Sequence, residues 1–184
     1  DKIYCVSEPV RKQVIARFPE LADRTEVLLN FIDIKQVQRR SEEPLSDPQY
    51  TGELKFLTVG RASEEKGYDI AVQITAELKK RGLRFKWFII GDGRDLNKLR
   101  TMAKEYQVEQ EIIFLGMREN PAPYVKSCDL YLQPSRHEGY PITIVEARSL
   151  QKVIIASDIP SMREQIRDGE NGYLCPLDVM QFAD

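Results

Sequence analysis

The sequence predicts an α/β protein: a doubly wound parallel sheet of about six strands covered by helices. Three observations lead there. From residue 54 onward, short strand-like runs alternate with helical patterns, and strands joined through helices pair in parallel with right-handed crossovers. The run Phe85 to Ile90 is apolar except at Lys86, as expected of a strand covered on both faces. Small and polar residues follow the strand-like runs, at Gly60-Arg61, Gly91-Asp92-Gly93, Gly116-Met117-Arg118, Pro134 to Tyr140 and Ser157-Asp158. Ligands of open sheets collect outside the carboxyl ends of strands, so these endings define one rim.

The elements follow in order. Ile3 to Val6 reads as a strand, and Pro9 to Phe18 as a helix with Ser7 as N-cap and Pro9 in the first turn. Val27 to Leu29 reads as a second strand closed by Asn30. Residues 39 to 53 contain Arg39-Arg40-Ser41-Glu42-Glu43-Pro44, then Pro48 and Gly52, a linker composition without apolar period. Leu54 to Val59 is the next strand. Lys66 to Lys80 is a helix, with Ile70, Ile74 and Leu78 on one face at steps of four. Leu96, Leu99, Ala103 and Tyr106 mark another helix, and Ile112 to Leu115 another strand. Pro123 to Ser127 reads as a short helical turn. Leu130 to Leu132, Val153 to Ala156 and Tyr173 to Cys175 complete the strands, and a last helix opens near Asp178.

Composition narrows the function classes. A net charge of −2 over 184 residues, with acids and bases interspersed, does not suit a nucleic-acid binder, which needs clustered Lys and Arg. The three cysteines, Cys5, Cys128 and Cys175, sit in apolar runs and read as reduced core residues of a cytoplasmic protein. His137 is the one histidine, too few for a zinc cluster. No apolar run approaches the ~20 residues needed to span a bilayer. The chain opens at Asp1 without methionine and stops at Asp184 within a helical pattern, which reads as a piece of a longer protein.

The residues that could carry chemistry lie on the rim. Arg61 and Lys66 are five positions apart, one at a strand tip and one at a helix start. A guanidinium fork and an ammonium so placed could grip the two phosphates of a diphosphate. The plainer alternative pairs them with Glu64 and Glu65. A lysine at a helix N-terminus opposes the dipole, which favours an anion between the two cations. Gly91-Asp92-Gly93 is half of a dinucleotide fingerprint, which fails because position 96 is Leu. It reads either as a tight turn or as a close backbone approach to a base or ribose. Glu138 falls in a loop, and Glu146 about one turn into a helix that opens near Pro141. Their spacing does not make them a glycosidase pair. Gly139 allows crowding, and the N–H groups of Ile142 and Thr143 stay free to bind phosphate. His137 reads as a loop or ligand contact rather than a base. The basic run Lys79-Lys80-Arg81, with Arg84 and Lys86, reads as a solvated helix end.

With these residues in place, the chain resembles the C-terminal, donor-binding half of a GT-B glycosyltransferase, of the large retaining family numbered four. The carriers are Gly60-Arg61 with Glu65-Lys66-Gly67; Ile90-Gly91-Asp92-Gly93; Phe114-Leu115-Gly116; Pro134-Ser135 with Glu138-Gly139 and Glu146-Ala147; and Asp168-Gly169 with Asn171-Gly172-Tyr173-Leu174. The resemblance implies a Rossmann-like donor domain at 54–184, cut in its last helix, a βαβ remnant of an N-terminal acceptor domain at 1–38, and a linker at 39–53. It implies a nucleotide-sugar donor, UDP-sugar first, and transfer with retention to a saccharide or glycolipid acceptor held by the other domain. It implies no cofactor and no metal for the donor, and no nucleic-acid partner. The parent would work in the cytoplasm, with peripheral contact at the inner face of a membrane, and this chain alone would transfer nothing. By the same resemblance Arg61 and Lys66 neutralise the diphosphate, Glu138 contacts the donor sugar, and Glu146 holds the ribose hydroxyls. Backbone at Gly139, Tyr140, Ile142 and Thr143 meets phosphate or sugar. Backbone at Met117 and Arg118 reads the base, with Gly60 and Gly91 lining the cleft. Two other readings stay open, a nucleotide-binding module without catalysis and half of a nucleotide-sugar epimerase.

Overall fold

The computed structural model describes residues 1–184. The main sheet has six strands: β3 (Lys55–Val59), β4 (Lys86–Ile90), β5 (Ile112–Gly116), β6 (Leu130–Gln133), β7 (Val153–Ser157) and β8 (Tyr173–Cys175). Their order is β5-β4-β3-β6-β7-β8, and every pairing is parallel. The chain winds outward from β3 to β5, then returns to the centre and winds outward from β6 to β8. Loops leaving the carboxyl ends of β3 and β6 therefore part to opposite faces and leave a crevice between them.

Period-two alternation builds a core on each face. Phe56, Trp87 and Ile89 pack on one side with Tyr68, Ala71 and Ile74 of α3 (Tyr68–Lys80) and Leu99 of α4 (Leu96–Glu105). Leu57, Phe88, Ile90, Tyr131 and Ile154 pack on the other with Tyr124 of α5 (Ala122–Ser127) and Ile144 of α6 (Ile142–Ser149). A chain of hydrogen bonds runs through this interior: the Trp87 indole donates to Thr58 Oγ1 at 2.9 Å, and that hydroxyl donates to the Leu132 carbonyl at 2.6 Å.

A second, two-stranded parallel sheet precedes the main one: β1 (Ile3–Cys5) and β2 (Thr25–Val27), joined through α1 (Glu8–Arg17) and a 3-10 turn. Ser7 caps α1, accepting from Val10 N at 3.3 Å, as the sequence suggests. The second strand starts two residues earlier than the apolar run Val27 to Leu29 suggests. Buried Thr25 anchors it through its hydroxyl on the Leu21 carbonyl, while Leu28 and Leu29 stay exposed.

Three further differences concern helices. α2 (Ile34–Ser41) runs across the boundary expected at residue 38 between the βαβ remnant and the linker; Asp33 caps it, accepting from Gln36 N at 3.0 Å, and it packs on α5 and α6. Residues 39 to 41 therefore continue a helix, and the irregular segment begins at Glu42. α3 begins at Tyr68, because Gly67 takes a left-handed φ of 66° that ends the preceding 3-10 turn Glu64–Lys66. A four-residue helix, α7 (Pro160–Arg163), is too short to show a period. The last helix, α8 (Val179–Ala183), starts where Asp178 caps it and packs on α3. No helix is long and apolar enough to cross a membrane.

Candidate functional site at the crevice between β3 and β6

The loop after β3 and the loop after β6 are locked together by backbone. The amides of Arg136 and His137 both donate to the Glu65 carbonyl, at 2.8 and 3.2 Å. Arg136 grips the Asp69 carboxylate with both guanidinium nitrogens, at 2.7 and 2.6 Å. Burial alone would raise the Asp69 carboxyl, but this fork outweighs it and holds the pKa below the usual range. Gly67 is where the two loops touch: a Cβ there would stand 1.9 Å from the Pro134 carbonyl oxygen.

This contact forms one wall of a cleft of about 700 Å3 lined by Arg61, Lys66, Arg94, His137, Glu138 and Gly139, with Ser63 and Glu65. The Arg61 side chain is exposed and makes no ion pair or hydrogen bond, so its guanidinium is free to meet a ligand. Lys66 is not free. Its ammonium donates to both oxygens of Glu138, at 2.7 and 2.9 Å. The dipole mismatch read from the sequence is thus answered by the protein's own anion, and Lys66 sits one residue ahead of the helix cap rather than within the helix.

Glu138 is held from below. Its Oε1 also accepts from Ser135 Oγ at 2.7 Å and Gln133 Nε2 at 3.0 Å, and both of those residues are 0% exposed. Ser157 at the end of β7 donates to the Ser135 carbonyl and closes the network. Ser157 stands in the sequence only as a rim residue, and Gln133 carries no signal at all, since a strand-end polar residue does not show its partner. Ser135 was noticed only as part of a motif.

Beyond Glu138 the backbone turns its N–H groups outward. The amides of Glu138, Gly139, Tyr140, Ile142 and Thr143 have no acceptor within the protein, and α6 opens without a side-chain cap. Unpaired donors at a helix start are the kind of backbone group that can receive an anion. Pro141, whose ring leaves no N–H, sets the entry with extended φ and ψ of −67° and 117°. Asn30 Nδ2 donates to the Tyr140 carbonyl at 3.0 Å, tying the segment after β2 to this loop.

Glu146 lies on α6, half-buried, with no side-chain partner. Burial raises its pKa, and the distant Arg40 guanidinium offsets this only in part. A desolvated carboxylate without a donor is ready to accept hydrogen bonds from a ligand hydroxyl.

The other side of the crevice, at the ends of β4 and β5, differs. Gly91 is buried at φ 137°, and a Cβ there would meet the Gly60 carbonyl oxygen at 1.9 Å. The protein's own backbone therefore requires glycine at this position. Met117 is 71% exposed. The Arg118 side chain is spent internally, on Asp47 at 2.8 Å, Tyr124 and the Leu115 carbonyl. The basic run at the end of α3 is spent in the same way: Lys79 pairs with Glu111 at 3.1 Å, and Arg81 with Glu77 and Asp184 at 2.8 and 2.7 Å. No group of three or more His, Cys, Asp or Glu side chains is placed to hold a metal ion. Cys5 and Cys128 are buried thiols without a disulfide, and burial pushes Cys128 up to about 12.

Comparison with known proteins places this geometry. The sequence model of the family described as glycosyl transferases group 1 matches residues 40–184. The chain belongs to that family. This group 1 chain is 28% identical over 180 residues to the uncharacterized glycosyltransferase MJ1059 of Methanocaldococcus jannaschii, covering 96% of the chain and 42% of that protein. It is 30% identical over 174 residues to the lipopolysaccharide 1,6-galactosyltransferase of Salmonella typhimurium, covering 92% of the chain and 46% of that protein. It spans less than half the length of either. Its fold is the GT-B fold of Staphylococcus aureus TarM, solved with fondaparinux, α-GlcNAc-glycerol and UDP. The TM-score is 0.84 at 20% identity, over 100% of this chain and 35% of that one. The family is a transferase family, and the homologues are named glycosyltransferases.

Proposed function

We propose that residues 54–184 are the C-terminal, donor-binding half of a retaining, family-four glycosyltransferase. Residues 1–38 are then the end of its acceptor domain and 39–53 the linker. The donor is a nucleoside diphosphate sugar, UDP-sugar first. The observation that carries this reading is the run of unpaired amides from Glu138 to Thr143, which begins at Glu138 and Gly139 in the lining of the same cleft as Arg61 and Lys66. The diphosphate lies between them, Glu138 reaches the sugar, and Glu146 accepts from the ribose hydroxyls. Backbone at Met117 and Arg118 meets the base beside Gly60 and Gly91.

Chemistry follows from where charge develops. The bond between the sugar carbon and the phosphate oxygen breaks, and its electron pair leaves with the nucleoside diphosphate. The acceptor oxygen bonds the same carbon and releases its proton. Two cations and a set of fixed amides stabilise the departing charge without reorganising. Each close charge contact is on the order of 4 kcal/mol at an effective dielectric near 20, before desolvation. Protein cations fill the role a metal ion plays elsewhere, so donor binding needs none. The acceptor is a saccharide or glycolipid held by the preceding domain, at the cytoplasmic face of a membrane. This chain alone binds the nucleotide and transfers nothing.

Ligand-observed NMR competition of UDP, GDP and ADP against this chain tests the reading. Binding of one nucleoside diphosphate, displaced by its cognate nucleotide sugar, is expected. Absence of binding by all three overturns it.

A further inference from the structure

Tyr68, the first residue of α3, belongs to none of the roles above. Its side chain is 1% exposed, and its hydroxyl has no hydrogen-bond partner. A buried phenol oxygen without a partner is costly, and phenylalanine would fill the same space without that cost. The hydroxyl lies directly under Gly60: a Cβ on that glycine would stand 2.9 Å from Tyr68 Oη and 3.5 Å from Lys66 Cε. The phenol and the lysine therefore share one small volume beneath the cleft floor. Burial raises the phenol's pKa, with Tyr131 and then Glu138 adding to it, so the hydroxyl stays a proton donor.

The partners of Glu138 are unevenly divided. Oε1 accepts from Lys66, Ser135 and Gln133, while Oε2 accepts from Lys66 alone. A diphosphate in the cleft competes for the Lys66 ammonium. When Lys66 turns to the phosphates, Oε2 loses its one donor, and the Lys66 side chain that held it borders a buried donor without an acceptor.

We propose that Tyr68 is a positioning residue for the donor site: its hydroxyl, unpartnered while Lys66 is paired with Glu138, donates to the Glu138 carboxylate when a diphosphate draws Lys66 away. The exchange replaces one partner of Glu138 by another and leaves its seat on Ser135 and Gln133 intact. Lys66 is thereby released to the ligand at lower cost, and Glu138 stays seated through Oε1 while Oε2 turns to the phenol. This inference rests on the donor-site reading above.

The test is Tyr68→Phe in this chain, read by UDP titration, with GDP and ADP in parallel, and by thermal unfolding without ligand. The hydroxyl has no partner in the free protein, so the unliganded melting temperature stays the same or rises. Affinity for the nucleoside diphosphate falls roughly tenfold or more, the equivalent of a hydrogen bond to a charged group. In a Glu138→Ala background the same substitution costs no further affinity, because the acceptor is gone. Wild-type affinity in Tyr68→Phe overturns the inference and leaves the donor-site reading standing. An equal loss in the Glu138→Ala background also overturns it, since Tyr68 would then act on the ligand by another route. If the unaltered chain binds none of the three nucleotides, the donor-site reading fails first and this inference falls with it.

Discussion

The two sides of the crevice are built on opposite terms. At the ends of β3 and β6, charges and amides are left available: Arg61 is unpaired, five N–H groups face outward, and Lys66 is tethered to Glu138 by a bond a stronger anion can replace. At the ends of β4 and β5, Arg94 stays largely exposed in the cleft, but two comparable groups are used up. Arg118 is committed to Asp47 and Tyr124, and Gly91 is filled by the Gly60 carbonyl. A cation near a cleft is thus no guide to ligand binding until its partners are known. One side leaves charged and polar groups without protein partners, and the other spends Arg118 on the scaffold.

Substitutions should separate the two sides. Lys66→Ala in the parent enzyme removes a charge aimed at the leaving group and should lower turnover by roughly 10²–10³-fold; near-normal transfer kinetics would break the contrast at its strongest point. Gly67→Ala drives a Cβ into the Pro134 carbonyl at a left-handed φ. It should cost about 3 kcal/mol, or a drop of about 6–12 °C in melting temperature, and calorimetry of this chain measures it. Arg61→Ala and Arg118→Ala form a crossed pair. The first should weaken nucleotide binding roughly tenfold and move the melting temperature little. The second should leave Asp47 without its cation and lower stability by about 1–3 kcal/mol, with the smaller effect on binding. Equal behaviour of the two arginines would erase the distinction.

The finest comparison is by pH. Burial is the larger influence on Asp47, yet the hydrogen bonds from Arg118 and Tyr124 overcome it and hold its carboxyl below the usual 3.8. A lowered folded pKa contributes stability above 3.8 that disappears as pH falls through the folded value. Asp47→Asn should therefore destabilise at pH 7 by on the order of 1 kcal/mol, with the difference closing in strong acid. Glu146 is the reverse, raised above its usual 4.5 by burial. Its contribution is fully present below 4.5 and lost as pH climbs through the raised value. Glu146→Gln should stabilise the unliganded chain at pH 7 and make no difference below 4.5. Parallel pH profiles for the two variants would contradict the assignment of Glu146 as a donorless carboxylate.

The sheet was legible because its signal is local. Phe85 to Ile90 and Leu54 to Val59 show their burial in composition, and the glycines after them show the rim. α2 was within reach: Asp33 ahead of Ile34 and Val37 is a cap followed by apolar residues three apart, but the arginines and prolines after it read as linker. The Lys66–Glu138 pair was out of reach, because 72 residues separate partners that meet only once β3 and β6 lie side by side. The same holds for Asp47 and Arg118. Local pattern tells which side chains stand at a strand end; topology decides which of them spend their charge on one another.

The measurement that bears most directly on the crevice is an amide-resolved NMR titration of this chain with UDP, GDP and ADP. If the crevice between β3 and β6 takes the diphosphate, the largest shifts for the nucleotide that binds fall on the amides of Glu138, Gly139, Tyr140, Ile142 and Thr143 and on the Gly60 to Lys66 loop. If the shifts instead gather at the separate hollow of about 640 Å3 lined by Lys152, Val153 and Tyr173, at the amino ends of β7 and β8, or if nothing moves, the assignment of the crevice as the donor site is wrong.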